Sequence, residues 1–357
     1  MDTDFGVIGA GIVGLATAFS LTERGASVTV YERGVPGNGQ SGGESRIFRH
    51  GHDDARLVAF ACEARVAWRD WEERFGEELV SRDGVVAIGP AAERRLAVMR
   101  EAGGVRVHPV DASEIAERLP LLAPWEGPAT LDEDGGVIRT RAAIEALTGA
   151  LRSSLVFDEV LSVRTTAGGA EVRAGGVTAE HGRVIVCAGR GTVALARGAG
   201  LPLPVRQSAH ARLTYPVRGE PPERLACLQD SDAGAYADPL PGNGAYAVGL
   251  GDTPVHEDGS LLDPAALAAE AERTNAYVAR ALPGLEPEPV AVRHCWVTEL
   301  PWSADGIAVW ETGNIVFVAG GNLFKHAPAL GRALAGDELP GMLLPQAKLG
   351  APVVTLR

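Results

Sequence analysis

Apolar and polar positions alternate between two periods along the chain, and each period predicts its own elements. Residues 5–8 form an apolar run of strand length. From residue 12 to 24, Leu15, Ala16, Ala18 and Phe19 recur at helical spacing, and Gly25 stops the helix. Val28-Thr29-Val30-Tyr31 then reads as a second strand. Between residues 57 and 75, Leu57, Ala61, Ala64, Trp68, Trp71 and Phe75 share one helical face, which predicts a helix turned to a core. The segment from Gly135 leads into another helix with Thr140 as its N-cap. The runs "LVFDEVLSV", "AEVRAGG" and "GRVIVCAGRGT" read as short strands. In the last, Val184-Ile185-Val186-Cys187 is a buried strand entering Ala188-Gly189-Arg190-Gly191, where backbone can approach a ligand.

From Leu201 the texture changes. Pro202, Pro204, Pro216, Pro221 and Pro222 interrupt period-two alternation. "AYADPLPGNGAYAVGLG" predicts a hairpin turning at Gly242-Asn243-Gly244, and residues 264–282 predict a helix that ends at Pro283-Gly284. The layout is α/β: a nucleotide-binding domain (residues 1–78, 135–200 and 291–357) interrupted by a mainly antiparallel domain (79–134 and 201–290).

Composition adds limits. At 357 residues the chain is long enough for two cores. A net charge of −13 argues against nucleic acid or an anionic membrane as partner. Cys62, Cys187, Cys227 and Cys295 have no C-x-x-C spacing, so neither zinc nor a disulfide framework is expected. Met1-Asp2-Thr3-Asp4 is acidic where a signal peptide is basic, and no apolar run reaches the length of a bilayer span. The expectation is a cytoplasmic, reduced, monomeric protein.

Gly9, Gly11 and Gly14 fall as G-x-G-x-x-G between the first strand and the first helix. Gly9 permits the tight turn, Gly11 admits a pyrophosphate, and Gly14 lets the helix pack on the strand. The helix start at Ile12 and Val13 then faces the phosphate charge. Glu32 closes the second strand and suits ribose hydroxyls; it would repel a 2′-phosphate, though the adjacent Arg33 weakens that inference. The motif predicts a dinucleotide without separating FAD from NAD.

In "GNGQSGGESRIFRHGHDD", Arg46 and Arg49 sit three apart, a pattern suited to anion recognition, with a surface ion pair to Asp53 and Asp54 as the competing reading. Residues 39–43 spell G-x-S-x-G, but a nucleophile elbow needs a strand before and a helix after, and neither is predicted. His50, His52, Asp53 and Asp54 offer metal ligands without a second cluster to complete them, so no metal is expected.

With "ESRIFRH", "GRVIVCAG", "LPVRQ", "RHCWVTELPWSADGIAV" and "NIVFVAGGNLFKHAPALGRALAG" in order behind that fingerprint, the chain resembles the monomeric sarcosine oxidase family, within the D-amino-acid oxidase superfamily. The resemblance spans nearly the full length. It implies a glutathione-reductase-type flavoprotein: a Rossmann-like FAD domain and an antiparallel substrate domain. It implies FAD attached through Cys295, whose "CWVT" falls on the family's covalent cysteine; an unattached, structural Cys295 is the other reading. Arg293 and His294, adjacent in sequence, would favour the thiolate. By the same matching Arg49 clamps a substrate carboxylate with Lys325 as its partner, and Arg46 lies close to the flavin ring. Gly320, Gly321 and Asn322 present backbone N–H groups to the flavin. Ser41, Ser45, Val160, Ala188, Gly189, Phe324 and Lys325 complete the cofactor contacts. Tyr236 and Tyr246 are candidate pocket aromatics, with core packing as the alternative.

The implied reaction is oxidation of the C–N bond of an amino, N-alkyl amino or cyclic imino acid to an imine, by hydride transfer to flavin, with O2 as acceptor. Three departures leave alternatives open. Ala247 and Gly251 stand where the family carries a lysine linked to oxygen activation and a histidine. The segment before Phe324-Lys325 is contracted, and the turn after Cys295 is longer, with Asp305 ten residues on. A dehydrogenase or biosynthetic flavoenzyme with another acceptor, or a flavin-binding protein without turnover, fits these departures.

Overall fold

The computed structural model describes residues 3–256, 260–303 and 305–337, and the backbone of 348–349. It divides into two compact units.

The first unit comprises Met1–Gly43, Arg141–Arg206 and Thr298–Arg357. Its central strand is Thr3–Ile8, flanked by the parallel strands Val28–Glu32 and Val177–Val186. Leu155–Phe157 lies beyond the former and Ile315–Gly320 beyond the latter, both parallel. Val7 stands opposite Val30 on one side and Ile185 on the other, all three fully or almost fully buried. Such continuous apolar runs suit a parallel sheet covered on both faces. Ile307–Thr312 extends the sheet antiparallel, as do the hairpin strands Val160–Thr165 and Ala170–Ala174. The helix Ile12–Glu23 packs closely on the helix Leu323–Leu334: a Cβ on Gly331 would fall 2.6 Å from the Ala16 backbone. His181 is a structural clip rather than a reactive group. It is buried against Gly6 and bonds the Thr3 hydroxyl (2.7 Å) and the Tyr31 hydroxyl (2.9 Å).

The second unit comprises Glu44–Thr140 and Gln207–Val297. One sheet runs in the order Thr253–Pro254, Arg206–Pro216, Ala245–Leu250, Ala235–Pro239, Cys227–Asp230, Val85–Ile88, Ala129–Asp132 and Val107–Pro109. Ala291–Glu299 pairs with Arg206–Pro216 off this path. Cys227–Asp230 is parallel to Val85–Ile88, while the hairpin and the strands around it are antiparallel. The hairpin turns where the sequence predicts, with Gly242 and Asn243 at φ 83° and 56°. A left-handed pair is cheapest with Gly and Asn. The core of this unit collects Tyr215, Tyr246, Leu213, Val248, Leu228 and Leu131 under the helix Pro264–Ala281.

The units part at other residues than the sequence division. Residues 44–78 group with the antiparallel unit. The reason is local bonding that periodicity does not reveal. Ser45–Phe48 pairs antiparallel with Gly136–Arg139. The helix Ala55–Phe75 is tied down by Arg65 Nε to the Asp134 carbonyl (3.1 Å) and by Glu72 Oε1, which accepts from the Leu79 and Val80 amides. The helices Pro90–Ala102 and Ala112–Arg118 were not predicted.

Candidate active site

In the first unit, the expected cofactor residues converge at the carboxyl ends of the parallel strands. Gly9 has φ 98°, and a Cβ there would lie 2.6 Å from the Cys187 carbonyl. A Cβ on Gly14 would lie 1.9 Å from the Gly9 carbonyl oxygen, so only glycine lets the helix start against this turn. Gly11 is the residue before the helix, and Ile12 and Val13 are its buried first turn. The Ile12 amide donates to the Ser41 hydroxyl (2.9 Å). That contact also disposes of the hydrolase reading, because Ser41 sits in a turn and caps a helix. Glu32 accepts from the Ala10 amide (2.8 Å) and the Gly34 amide (2.9 Å), which fixes its carboxylate beside the glycine turn.

Ala188 and Gly189 end the neighbouring strand, with Gly189 at φ 54°. Arg33 is exposed and pairs with Glu159 (3.3 Å), next to half-buried Val160 at the sheet edge. One strand further along, Gly320 and Gly321 close Ile315–Gly320. A Cβ on Gly320 would meet the Gly306 carbonyl at 2.3 Å, and the Gly321 amide donates to that carbonyl (3.1 Å). Asn322 holds φ 52° with its side-chain amide on Asp305, opening a helix in which Phe324 and Lys325 are buried.

In the second unit, Cys295 lies at the centre of a charged cluster. It is buried on Ala291–Glu299, the strand paired with Arg206–Pro216 that carries His210, and His210 acts on its thiol. His210 Nδ1 bonds Asp252 Oδ1 at 2.7 Å, and its ring meets the Tyr236 ring edge-on at 5.4 Å between centroids. Arg212 is buried, bonds Asp238, and donates to the Ser45 carbonyl (2.8 Å) and hydroxyl (3.0 Å). Arg46 donates to the same carbonyl (2.8 Å). Ser45, expected on the cofactor, thus anchors both guanidinium groups.

Burial works against ionisation of the Cys295 thiol. The His210 hydrogen bond and the charges of Arg46, His210 and Arg212 outweigh it and bring the thiol below its usual range. For His210, burial disfavours the cation, but Asp252 and Cys295 raise it above the usual imidazole range. The contrast within the chain is sharp: burial, as the largest cause, pushes Cys62 up to about 11 and Cys187 up to about 12, and raises Cys227 well above its ordinary value.

Two expectations are corrected here. Arg293 and His294 are exposed, and the charges on Cys295 come from Arg46, His210 and Arg212 instead. Tyr246 is fully buried in the core with its hydroxyl donating to the Ala226 carbonyl (2.8 Å), so it is not a pocket wall; Tyr236, beside His210, is half-buried. Arg49 is 8% exposed and donates to the Gly51 carbonyl. Asp53 pairs with Arg94 and Arg95, and Asp54 with Arg56. His50 bonds the Asp132 carboxylate at 3.0 Å. Among the described residues, no group of three or more His, Cys, Asp or Glu is placed to hold a metal ion, and no helix is long and apolar enough to cross a membrane.

Sequence reading missed His210, Arg212, Asp238 and Asp252. A signal existed in part: Ser208, His210 and Arg212 alternate with Ala209, Ala211 and Leu213, which puts the polar residues on one strand face.

Glycine turns at the carboxyl ends of parallel strands, with a helix start and a fixed acid beside them, define a dinucleotide-binding oxidoreductase fold. The chain belongs to the DAO family, described as FAD dependent oxidoreductase, whose sequence pattern matches residues 4–336. The structure is similar to NikD, described as an unusual amino acid oxidase essential for nikkomycin biosynthesis (TM-score 0.80, 22% identity, 94% of each chain covered). It is similar to glycine oxidase from Geobacillus kaustophilus (0.78, 21%, 92% of each chain). It is also similar to L-proline dehydrogenase from P. horikoshii (0.77, 20%, 94% of this chain and 92% of that one). A search of curated protein sequences finds no match. The residues present fit FAD: the turn at Gly9 and Gly14 has no room for a Cβ, so the helix starts hard against the strand end, where a pyrophosphate binds in this fold.

Proposed function

We propose that this FAD-dependent oxidoreductase oxidises the C–N bond of an amino, N-alkyl amino or cyclic imino acid to an imine, with O2 or another oxidant as final acceptor. Bound FAD supplies the two-electron acceptor. The first unit would hold it, with the pyrophosphate at Gly9, Gly11 and the helix start at Ile12–Glu23, the ribose at Glu32, and the Gly320–Asn322 backbone at the ring. Cys295 would attach it covalently. The second unit would serve the substrate, and the protein would act as a cytoplasmic monomer.

The observation that carries the substrate class is Arg49. It is a guanidinium 8% exposed in a protein of net charge −13. A planar cation of five donors held this way suits a carboxylate, the group an amino or imino acid carries beside its C–N bond. Lys325, 2% exposed, would be the second cation on that carboxylate and would orient the adjacent C–H bond. Anaerobic addition of amino and N-methyl amino acids should bleach the flavin. Arg49→Ala should weaken carboxylate ligands by about 1.5–3 kcal/mol, or roughly ten- to a hundredfold. Equal affinity in that variant would remove Arg49 from the role.

A second reading, a dehydrogenase, rests on Ala247 and Gly251. Neither side chain bears charge, so neither offers the fixed cation that would favour electron transfer to O2. Peroxide release during turnover in air separates the two. A protein that binds FAD without turnover would show no bleaching with any such substrate.

A further inference from the structure

We infer that Asp252, His210 and Cys295 form a proton relay that makes Cys295 a nucleophile: His210 is the base that takes the thiol proton, and Asp252 positions it. The inference rests on the covalent-attachment reading above and adds the machinery for it. The geometry is that of an activated thiol. Asp252 holds His210 Nδ1 at 2.7 Å, which leaves the other ring nitrogen for the sulfur. His210 and Cys295 stand on paired strands. The hairpin strand Ala235–Pro239 adds Tyr236 against the imidazole.

The groups facing the pair are few and their effects can be named. Asp252 and Cys295 favour the imidazolium. Arg46 and Arg212 favour the thiolate, with Asp238 paired to Arg212. Glu270, from the helix Pro264–Ala281, is 1% exposed and feels the His210 charge. None of the other three cysteines has a lowered thiol, so the arrangement is particular to Cys295.

In the attachment step, Cys295 Sγ gives its proton to His210 and its electron pair to a new C–S bond at the flavin 8-methyl carbon. One C–H bond of that carbon breaks and its proton leaves. The two electrons released go to dioxygen, which departs with two protons as hydrogen peroxide.

The test has two arms on the full-length protein. The first follows thiolate absorbance against pH in the apoprotein, taking the difference from Cys295→Ser. The wild type should hold a thiolate at about pH 6.5, below the ordinary thiol range near 8.5, and His210→Asn and Asp252→Asn should move the profile upward. Because loss of the fold would also return the thiol to its ordinary range, profiles are compared only for variants whose circular dichroism and melting curve match those of the wild type. Superimposable profiles in wild type and His210→Asn overturn the relay. The second arm adds FAD and reads denaturation-resistant flavin by fluorescence and by the mass of the Cys295 peptide. Attachment should be at least tenfold slower in His210→Asn that has bound FAD non-covalently. Equal rates overturn the relay and leave covalent attachment standing. A wild-type thiolate that never acquires flavin overturns the covalent reading while the relay's proton transfer stands. If His210→Asn does not fold, Asp252→Asn, altered at a partly exposed carboxylate, carries both arms.

Discussion

Replacing Arg212 by Leu tests the charged cluster most directly. Its guanidinium and the Asp238 carboxylate are 6% and 2% exposed, so water screens neither. Three bonds hold it: one to Asp238, and two to Ser45 at 2.8 and 3.0 Å. Leu leaves the Asp238 carboxylate buried without its counter-charge, and breaking a buried pair from one side costs about 3–5 kcal/mol. For a domain of 150–250 residues each kcal/mol lowers Tm by about 2–4 °C, so the loss should be about 6–20 °C. The assay is a melting curve on apoprotein and FAD-loaded protein. The double variant Arg212→Leu/Asp238→Leu should recover most of the loss, because an apolar pair of similar volume removes the stranded charge. The same substitution should raise the Cys295 thiol, since Arg212 is one of the cations that lower it. A Tm unchanged within error in Arg212→Leu, or a double variant as unstable as the single, would refute the account of the cluster as a paired, desolvated charge system.

Two further outcomes are expected. Gly14→Ala places a Cβ 1.9 Å from the Gly9 carbonyl oxygen, so the helix must move off the turn; FAD affinity by fluorescence titration should fall at least tenfold, and full affinity would refute the turn as the phosphate site. Burial pushes the Glu270 carboxyl up to about 7. A group raised in the folded state contributes stability that is full below its ordinary value and is lost as pH rises through about 7. Glu270→Gln stays neutral, so its Tm relative to the parent should climb between mildly acidic and alkaline pH; a difference flat with pH would refute this.

The nucleotide-binding unit was legible because its signals are local. Gly9, Gly11 and Gly14 lie within one turn, and a parallel strand buried on both faces reads as an apolar run such as Val184–Val186. The Gly242-Asn243 hairpin was legible for the same reason: left-handed backbone selects its residues whatever surrounds it. The domain edge at residue 44 was not. It depends on Ser45–Phe48 pairing with a strand some ninety residues away, and nothing in the period of either segment names its partner.

The sequence by itself determined the fold class and the dinucleotide turn, which follow from residue type and spacing over a few positions, where backbone sterics and periodicity act; Cys295 and the carboxylate role of Arg49 were expected only through the family resemblance. Only the tertiary structure decided which charges meet Cys295. Its sequence neighbours Arg293 and His294 turn to solvent, while His210, Arg212 and Arg46 arrive from other strands. Electrostatic influence falls with distance in space and grows with burial, and the order of residues along a chain measures neither.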